Sequence, residues 1–250
     1  MKIKDYFNQE YAIFLANKIQ AVYPNFKSKE WIEMVKDKIS DQEYSEKMIL
    51  FVEIFDQVLP EYQQTLKIFE KILGNELSSF SKMYEEGMWL APIGKYVECH
   101  CTENDYDLSI QFIEQLTKRY TGEFAMRPLI VKYPQKSLET IEKWSQSNND
   151  YVRRLSSECI RISLPWAKKM TVAVEHFEQY KRILGHLKND SNTYVCRSVA
   201  NNLNDLYKYD KNLFFNIIKE WQQDQMSENT KWIIQYGSRT YQKEQRKKQG

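Results

Sequence analysis

A repeat of about 40 residues in the second half of the chain restricts the fold more than any other feature. Residues 151–154 (Tyr-Val-Arg-Arg) and 194–197 (Tyr-Val-Cys-Arg) lie 43 positions apart, and each follows a polar, turn-forming stretch. Weaker copies begin at Trp232 and Phe124. Helical pairs with this period cannot bury their apolar faces alone, so they stack on one another. The pattern therefore predicts an all-α chain, a curved α-solenoid of HEAT-like helical repeats.

Helical patterns also run through the rest of the chain. Apolar residues recur at helical spacing in the segments 5–23, 28–39, 42–59, 60–73, 104–120, 123–134, 137–144 and 177–187. Only 7 Gly and 6 Pro interrupt them, few for an all-β protein with many tight turns. We predict one HEAT-like repeat domain over 1–250, with N-terminal helices at 1–103, repeats carrying the site at 104–245 and a basic tail at 246–250.

Signals for membrane insertion, disulfides and metal binding are missing from the sequence. No apolar run approaches the length of a bilayer span, and the first residues lead into no segment of the signal-peptide type. Cys99 and Cys101 flank His100, but neighbouring residues do not readily converge on one metal ion. We expect free thiols in a reducing cytoplasm, no membrane partner and no metal. His100, His176 and His186 have no convincing partners and receive no role.

The stretch 149–166 carries the charged residues that most suggest a site. Asp150 is the predicted N-cap of a helix that Pro165 ends. On this helix Arg154, Glu158 and Arg161 fall at i, i+4 and i+7, on one face. A carboxylate between two guanidinium groups is either a structural ion pair on a solvated face or a reactive carboxylate in a basic groove. The stretch alone leaves both interpretations open.

The repeat predicts a second polar strip beside this one. Asn201 aligns with Glu158, and Asp205 lies one helical turn after Asn201, on the face of Arg197. If both helices line one surface, Glu158 and Asp205 can converge on one group. In the alternative interpretation, the two carboxylates form ion pairs that tie one repeat to the next.

Four blocks of the chain, in order, resemble the AlkC branch of the AlkC/AlkD superfamily of HEAT-like DNA glycosylases. The blocks are residues 123–128 (Glu-Phe-Ala-Met-Arg-Pro), 151–161, 164–166 (Leu-Pro-Trp) and 198–205 (Ser-Val-Ala-Asn-Asn-Leu-Asn-Asp). Weaker matches at 22–26 and 59–62 extend the resemblance to nearly the whole chain. It implies excision of cationic N-alkylated bases, typically 3-methyladenine, from DNA without a metal or organic cofactor. We expect the partner to be double-stranded DNA and the protein to be a monomer.

The same resemblance assigns roles to single residues. It implies Glu158 and Asp205 as the active-site carboxylates, Glu123 as a third acidic member and Trp166 as the aromatic residue near the lesion. The basic residues expected to bind DNA are Arg153, Arg154, Arg161, Arg197, Lys168 and Lys169. Plainer alternatives remain: Glu123 can stabilise a helix dipole, and Trp166 can pack in the core below Pro165.

The chain departs from the family pattern in places. Ser163 stands where a second arginine is usual, and residues 235–237 (Gln-Tyr-Gly) stand where Arg or His and Ala are common, which puts some backbone contacts in doubt. About 10 residues follow the last predicted helix, so we expect no immunoglobulin-like C-terminal domain. The alternatives to a glycosylase are a non-catalytic HEAT-repeat DNA-binding relative and a protein-interaction scaffold, which needs no basic concave face.

Overall fold

The computed structural model describes residues 2–40, 42–223 and 225–249, and over these residues it contains helices and no β-strand. The prediction of an all-α fold is confirmed. Within the same ranges, no helix combines the length and the apolar character that crossing a bilayer requires. The backbone divides into two compact units, Met1–Met126 and Arg127–Gly250. The single domain expected over 1–250 stays a prediction, and the last residue of its basic tail, 250, lies outside the described residues.

The first unit consists of helices joined by short loops. They are α1 (Ile3–Tyr6), α2 (Gln9–Val22), α3 (Ser28–Lys38), α4 (Tyr44–Val58), α5 (Tyr62–Ile72), α6 (Ala91–His100), α7 (Tyr106–Thr117) and the start of α8 (Glu123–Lys132). Short 3₁₀ and π turns cover residues 80–90, between α5 and α6. Gly74 follows α5 with φ of 77°, the left-handed conformation that commonly ends a helix.

Aromatic packing forms the core of this unit. Trp31 stacks on Phe55 with ring centroids 4.8 Å apart, and its Nε1 donates a hydrogen bond to the Ala12 carbonyl at 2.9 Å. Phe55 in turn meets Phe69 and Tyr96 edge-on. Trp31, Phe55 and Phe69 are fully buried, so three helices share one apolar centre.

The second unit contains the helical pairs of the repeat. Its helices are α9 (Pro134–Trp144), α10 (Asp150–Glu158), α11 (Val172–Glu175), α12 (Phe177–Leu187), α13 (Thr193–Tyr209), α14 (Lys211–Trp221), α15 (Glu228–Gly237) and α16 (Arg239–Gln249). The second helices of the pairs pack in sequence, with α13 between α10 and α15. The first helices α9 and α12 also pack on each other. The 43-residue offset thus corresponds to stacked helical pairs.

Equivalent asparagines start the two matching helices. The side chain of Asn149 accepts from the backbone N–H groups of the first turn of α10, and Asn192 does the same for α13. The prediction that Asp150 caps α10 is therefore wrong by one residue. Asp150 instead accepts a hydrogen bond from Asn192 Nδ2 at 2.6 Å, which joins the two turns.

The helix predicted to run to Pro165 ends at Glu158. Beyond it, the carbonyl groups of a loop accept hydrogen bonds from the buried guanidinium of Arg127, where in a helix they would accept from backbone N–H groups. Arg127 donates to the carbonyls of Cys159, Arg161 and Lys168 at 3.3, 2.8 and 2.6 Å. Because these carbonyls are satisfied by a distant side chain, the chain leaves the helix early, and proline is not what ends it.

Candidate active site

Two buried carboxylates share one guanidinium where α10 meets α13. Arg161 Nη1 donates to Glu158 Oε1 at 2.8 Å, and Arg161 Nε donates to Asp205 Oδ2 at 3.1 Å. All three side chains are buried. The structure therefore brings together residues of both predicted polar strips. Arg161 reaches them from the loop after α10, so the prediction that it lies on the same helix as Glu158 is wrong, although it does contact Glu158.

Ser198 completes the surroundings of Glu158. Its hydroxyl donates to Glu158 Oε2 at 2.6 Å and accepts from Ser157 at 2.8 Å, and Ser198 is buried. Arg154 Nη2 lies 3.9 Å from Glu158 Oε1, on the side predicted from the i, i+4 spacing. Sequence reasoning assigned Ser198 no role, although it begins the matching block 198–205.

The two carboxylates have opposite pKa shifts. Burial by itself raises the pKa of a carboxyl, but Arg154, Arg161 and Ser198 outweigh it at Glu158 and hold its pKa below the ordinary value. At Asp205 burial outweighs Arg161, so the pKa of Asp205 is raised. Glu158 is therefore a permanent negative charge at neutral pH, whereas Asp205 binds a proton more readily.

Asp205 presents one oxygen that the fold does not use. Its Oδ2 accepts from Arg161 and also from the Ser163 backbone N–H at 3.3 Å. Within the described part of the chain, no hydrogen bond reaches Oδ1. A carboxylate with one oxygen fixed and the other open can orient a water molecule or accept its proton.

Trp166 stands out from the loop that Arg127 holds. Its side chain is 83% exposed, so the alternative in which it packs in the core is wrong. Its φ of 61° is a left-handed conformation that costs a bulky residue about 1–2 kcal/mol. The loop is nonetheless anchored, because Leu164 is buried and Arg127 binds the carbonyls on both sides. Strain in a well-held loop is typical of functional positions.

The predicted basic residues other than Arg154 and Arg161 divide into two groups. Arg153 is not beside Glu158: its guanidinium binds Asp190 at 2.6 Å and the carbonyls of the turn before α10. That pair joins one repeat to the next, which matches the structural interpretation of such charges. Arg197, Lys168 and Lys169 are exposed, and a role in DNA binding stays a prediction for them. Arg127, which sequence reasoning did not assign, positions the loop.

The remaining candidates are Glu123 and the histidines. Glu123 is buried in the first turn of α8, within the first compact unit, and its place in the site stays a prediction. Among the described residues, no group of three or more His, Cys, Asp or Glu side chains is arranged to hold a metal ion. Two histidines do have partners: His100 contacts Asp56 at 3.0 Å and His186 contacts Ser145 at 2.7 Å.

Comparison with known proteins places these residues in a family context. The family described as "DNA alkylation repair enzyme" matches residues 81–240. The chain is 27% identical to the protein YhaZ of Bacillus subtilis over 95% of its own length and 64% of that protein's. It is also similar to Pseudomonas fluorescens alkylpurine DNA glycosylase AlkC bound to DNA containing an abasic site analog, with a TM-score of 0.83 and 29% identity. That match covers 96% of this chain and 64% of AlkC. The chain thus spans less than two thirds of the length of both relatives.

Proposed function

The chain belongs to the DNA alkylation repair enzyme family, and we propose that it is a DNA glycosylase that hydrolyses the N-glycosidic bond of cationic alkylated bases, 3-methyladenine above all. The similarity to an alkylpurine DNA glycosylase supports the reaction class. The observation that carries the proposal is the buried network of Glu158, Arg161 and Asp205.

The chemistry of a cationic base matches a site made of carboxylates. A base alkylated on a ring nitrogen is positively charged, so it leaves as a neutral molecule and needs no general acid. The barrier lies in the positive charge that develops on the deoxyribose as the bond breaks. A preorganised negative charge beside the sugar lowers that barrier, and a positioned water completes the hydrolysis.

The opposite pKa shifts divide these tasks between the two carboxylates. Glu158, kept ionised by Arg154 and Arg161, supplies the fixed negative charge. Asp205, with its raised pKa and open Oδ1, positions the attacking water and takes its proton. Arg161 holds both carboxylates in one geometry, so that little reorganisation is required when the charge develops.

Exposed residues around this network would hold the DNA. Arg197, Lys168 and Lys169 offer cations that bind phosphates and release counterions. Trp166 stands in solvent on an anchored loop, where its ring can pack against a damaged base that unpairs cheaply. Because the ring is not inside a cavity, contact with the lesion requires no enclosed pocket for an extruded base.

The departure at Ser163 does not favour a relative that has lost catalysis. The missing arginine is not needed for the network, since the backbone N–H of Ser163 itself binds Asp205. Both main carboxylates keep their partners. The non-catalytic DNA-binding alternative therefore gains no support from this position.

Release of free base decides the proposal. The protein is incubated in excess with duplex DNA carrying a single 3-methyladenine, and free base is measured over time, with 3-methylcytosine and 7-methylguanine duplexes in parallel. We expect release from the 3-methyladenine duplex and a steep fall in binding as salt increases. No release from any duplex, with binding intact, would leave only the non-catalytic alternative; a flat salt response would contradict the phosphate contacts.

A further inference from the structure

The last repeat carries two stacked aromatic rings and a guanidinium. Trp232 and Tyr236 lie one turn apart on α15, with ring centroids 5.1 Å apart and planes inclined by 5°. Arg239, the first residue of α16, places its Cζ 4.6 Å from the Tyr236 ring centroid. Both rings are more than a third exposed. We call these three residues the Arg239 stack.

Two hydrogen bonds fix the guanidinium in this stack. Arg239 Nη2 donates to Asn201 Oδ1 at 3.0 Å, and Nη1 donates to the Tyr236 carbonyl at 3.0 Å. In its better-satisfied amide orientation, Asn204 accepts one more bond from Nη2 at 3.3 Å. These bonds occupy at most three of the five N–H groups. The remaining ones are held in a fixed plane, a geometry suited to a bidentate acceptor such as phosphate.

Several arginines of the second unit are neutralised by a carboxylate, and Arg239 is not one of them among the described residues. Arg153, Arg161 and Arg182 each bind a carboxylate. Among the described residues, Arg239 has no carboxylate partner, and its contacts are to neutral oxygens and a ring. A partly buried, preorganised and uncompensated cation favours an anionic partner from outside the chain.

The Arg239 stack lies beside the proposed site. Its partner Asn201 is one turn before Asp205 and one turn after the exposed Arg197, on the same face of α13. In the weaker copy of the repeat that begins at Trp232, Gln235 stands where Arg197 stands in α13. Arg239, four residues after Gln235, brings a guanidinium to Asn201, which lies one turn from Arg197.

We propose that Arg239, braced by Tyr236 and Trp232, binds a phosphate of the duplex DNA backbone next to the lesion and replaces the contact that Gln235 cannot make. The partner class, DNA, rests on the proposed function. The contact itself is a binding property and does not require that any base be excised.

Salt-dependent DNA binding tests this contact. The full chain is titrated against a labelled duplex containing an abasic-site analogue at several salt concentrations, and the slope of log K against log salt concentration is compared between variants. Arg239→Gln removes one phosphate contact, so we expect weaker binding and a slope smaller in magnitude by about 0.9. The matched control is Arg182→Gln, which removes an equal charge from α12, where Glu142 binds it; its slope should equal that of the wild type.

Tyr236→Leu separates the brace from the charge. It keeps Arg239 and removes the ring beneath it, so we expect binding weaker by about 2- to 5-fold with an unchanged slope. Thermal melts identify any variant that does not fold. If Arg239→Gln melts early, Arg239→Lys takes its place: it keeps the charge and loses the planar fork, and should show the wild-type slope with reduced affinity.

Three results would overturn the inference. The first is a folded Arg239→Gln variant with the slope and affinity of the wild type. The second, where Arg239→Lys is used instead, is an Arg239→Lys variant with wild-type affinity. The third is a wild-type protein that does not bind the duplex. The first would make Arg239 only a structural tie between α13 and α16. A wild type that binds the abasic duplex and loses slope in Arg239→Gln, yet releases no base, would refute the glycosylase proposal and leave this inference standing.

Discussion

Replacing Glu158 by glutamine removes one buried negative charge and keeps the side-chain shape. Glu158 accepts from Arg161 and Ser198 at 2.8 and 2.6 Å, and an amide can still accept one of these bonds. Losing a charge-assisted hydrogen bond costs about 1.5–3 kcal/mol of unfolding free energy. The roughly 3–5 kcal/mol of a fully unpaired buried charge is not reached, because Arg161 keeps Asp205.

The effect of Glu158→Gln on the reaction is expected to be larger than its effect on stability. Removing one preorganised electrostatic group lowers the rate on the order of 10²–10³-fold. Single-turnover release of 3-methyladenine measures this rate, and urea denaturation measures the stability of the same preparation. The matched control is Glu142→Gln, a carboxylate that also binds an arginine but lies on α9. It should release base at the wild-type rate.

A folded Glu158→Gln variant that releases base within about threefold of the wild-type rate would refute the reasoning. The expected loss follows from a charge of fixed position. A near-normal rate would show that the developing charge on the sugar is stabilised elsewhere, and the network would then be a structural tie between α10 and α13.

Three further outcomes follow from the geometry. Because burial raises the pKa of Asp205, we expect excision to fall on acidification at a higher pH than it would with an ordinary aspartate. For the same reason the folded state loses stability as pH rises through that pKa. Asp205→Asn should remove both effects from pH–rate and pH–stability profiles. Trp166→Gly should be about 1 kcal/mol more stable than Trp166→Ala in urea denaturation, since glycine adopts φ of 61° without strain. Both variants should excise slowly, and equal stabilities of the two would contradict the backbone strain at this position. Gly237→Ala places a Cβ 2.8 Å from Leu203 and costs about 1–3 kcal/mol by the same measurement, whereas the control Gly185→Ala meets nothing within 4 Å and does not destabilise.

Helical pairs and the main carboxylates were accessible from the pattern of the chain. The predicted segment 177–187 coincides with α12, and the predicted polar turns before residues 151 and 194 contain the helix caps Asn149 and Asn192. Such features depend on residues close in sequence, where the 3.6-residue period and the capping preferences act. The convergence of Glu158 and Asp205 on one group, which proves to be Arg161, was one of the two interpretations that the repeat offered, because a repeat converts a sequence offset into spatial proximity.

The sequence by itself determined most of the helices, the stacking of the helical pairs and the charged residues that the pairs carry, because local periodicity and the repeat dictate these. The helices α6 and α14 were not among the predicted segments. Only the tertiary structure decided that α10 ends at Glu158, that Arg127 binds the loop carbonyls, that Trp166 stands in solvent and that Arg153 serves a repeat contact. The opposite pKa shifts of Glu158 and Asp205 likewise depend on burial and on the distances to shared arginines. Apart from Arg154 and Arg161, which lie within four residues of Glu158 and lower its pKa, the contacts behind these properties join residues about 30–45 positions apart, on which no local pattern reports.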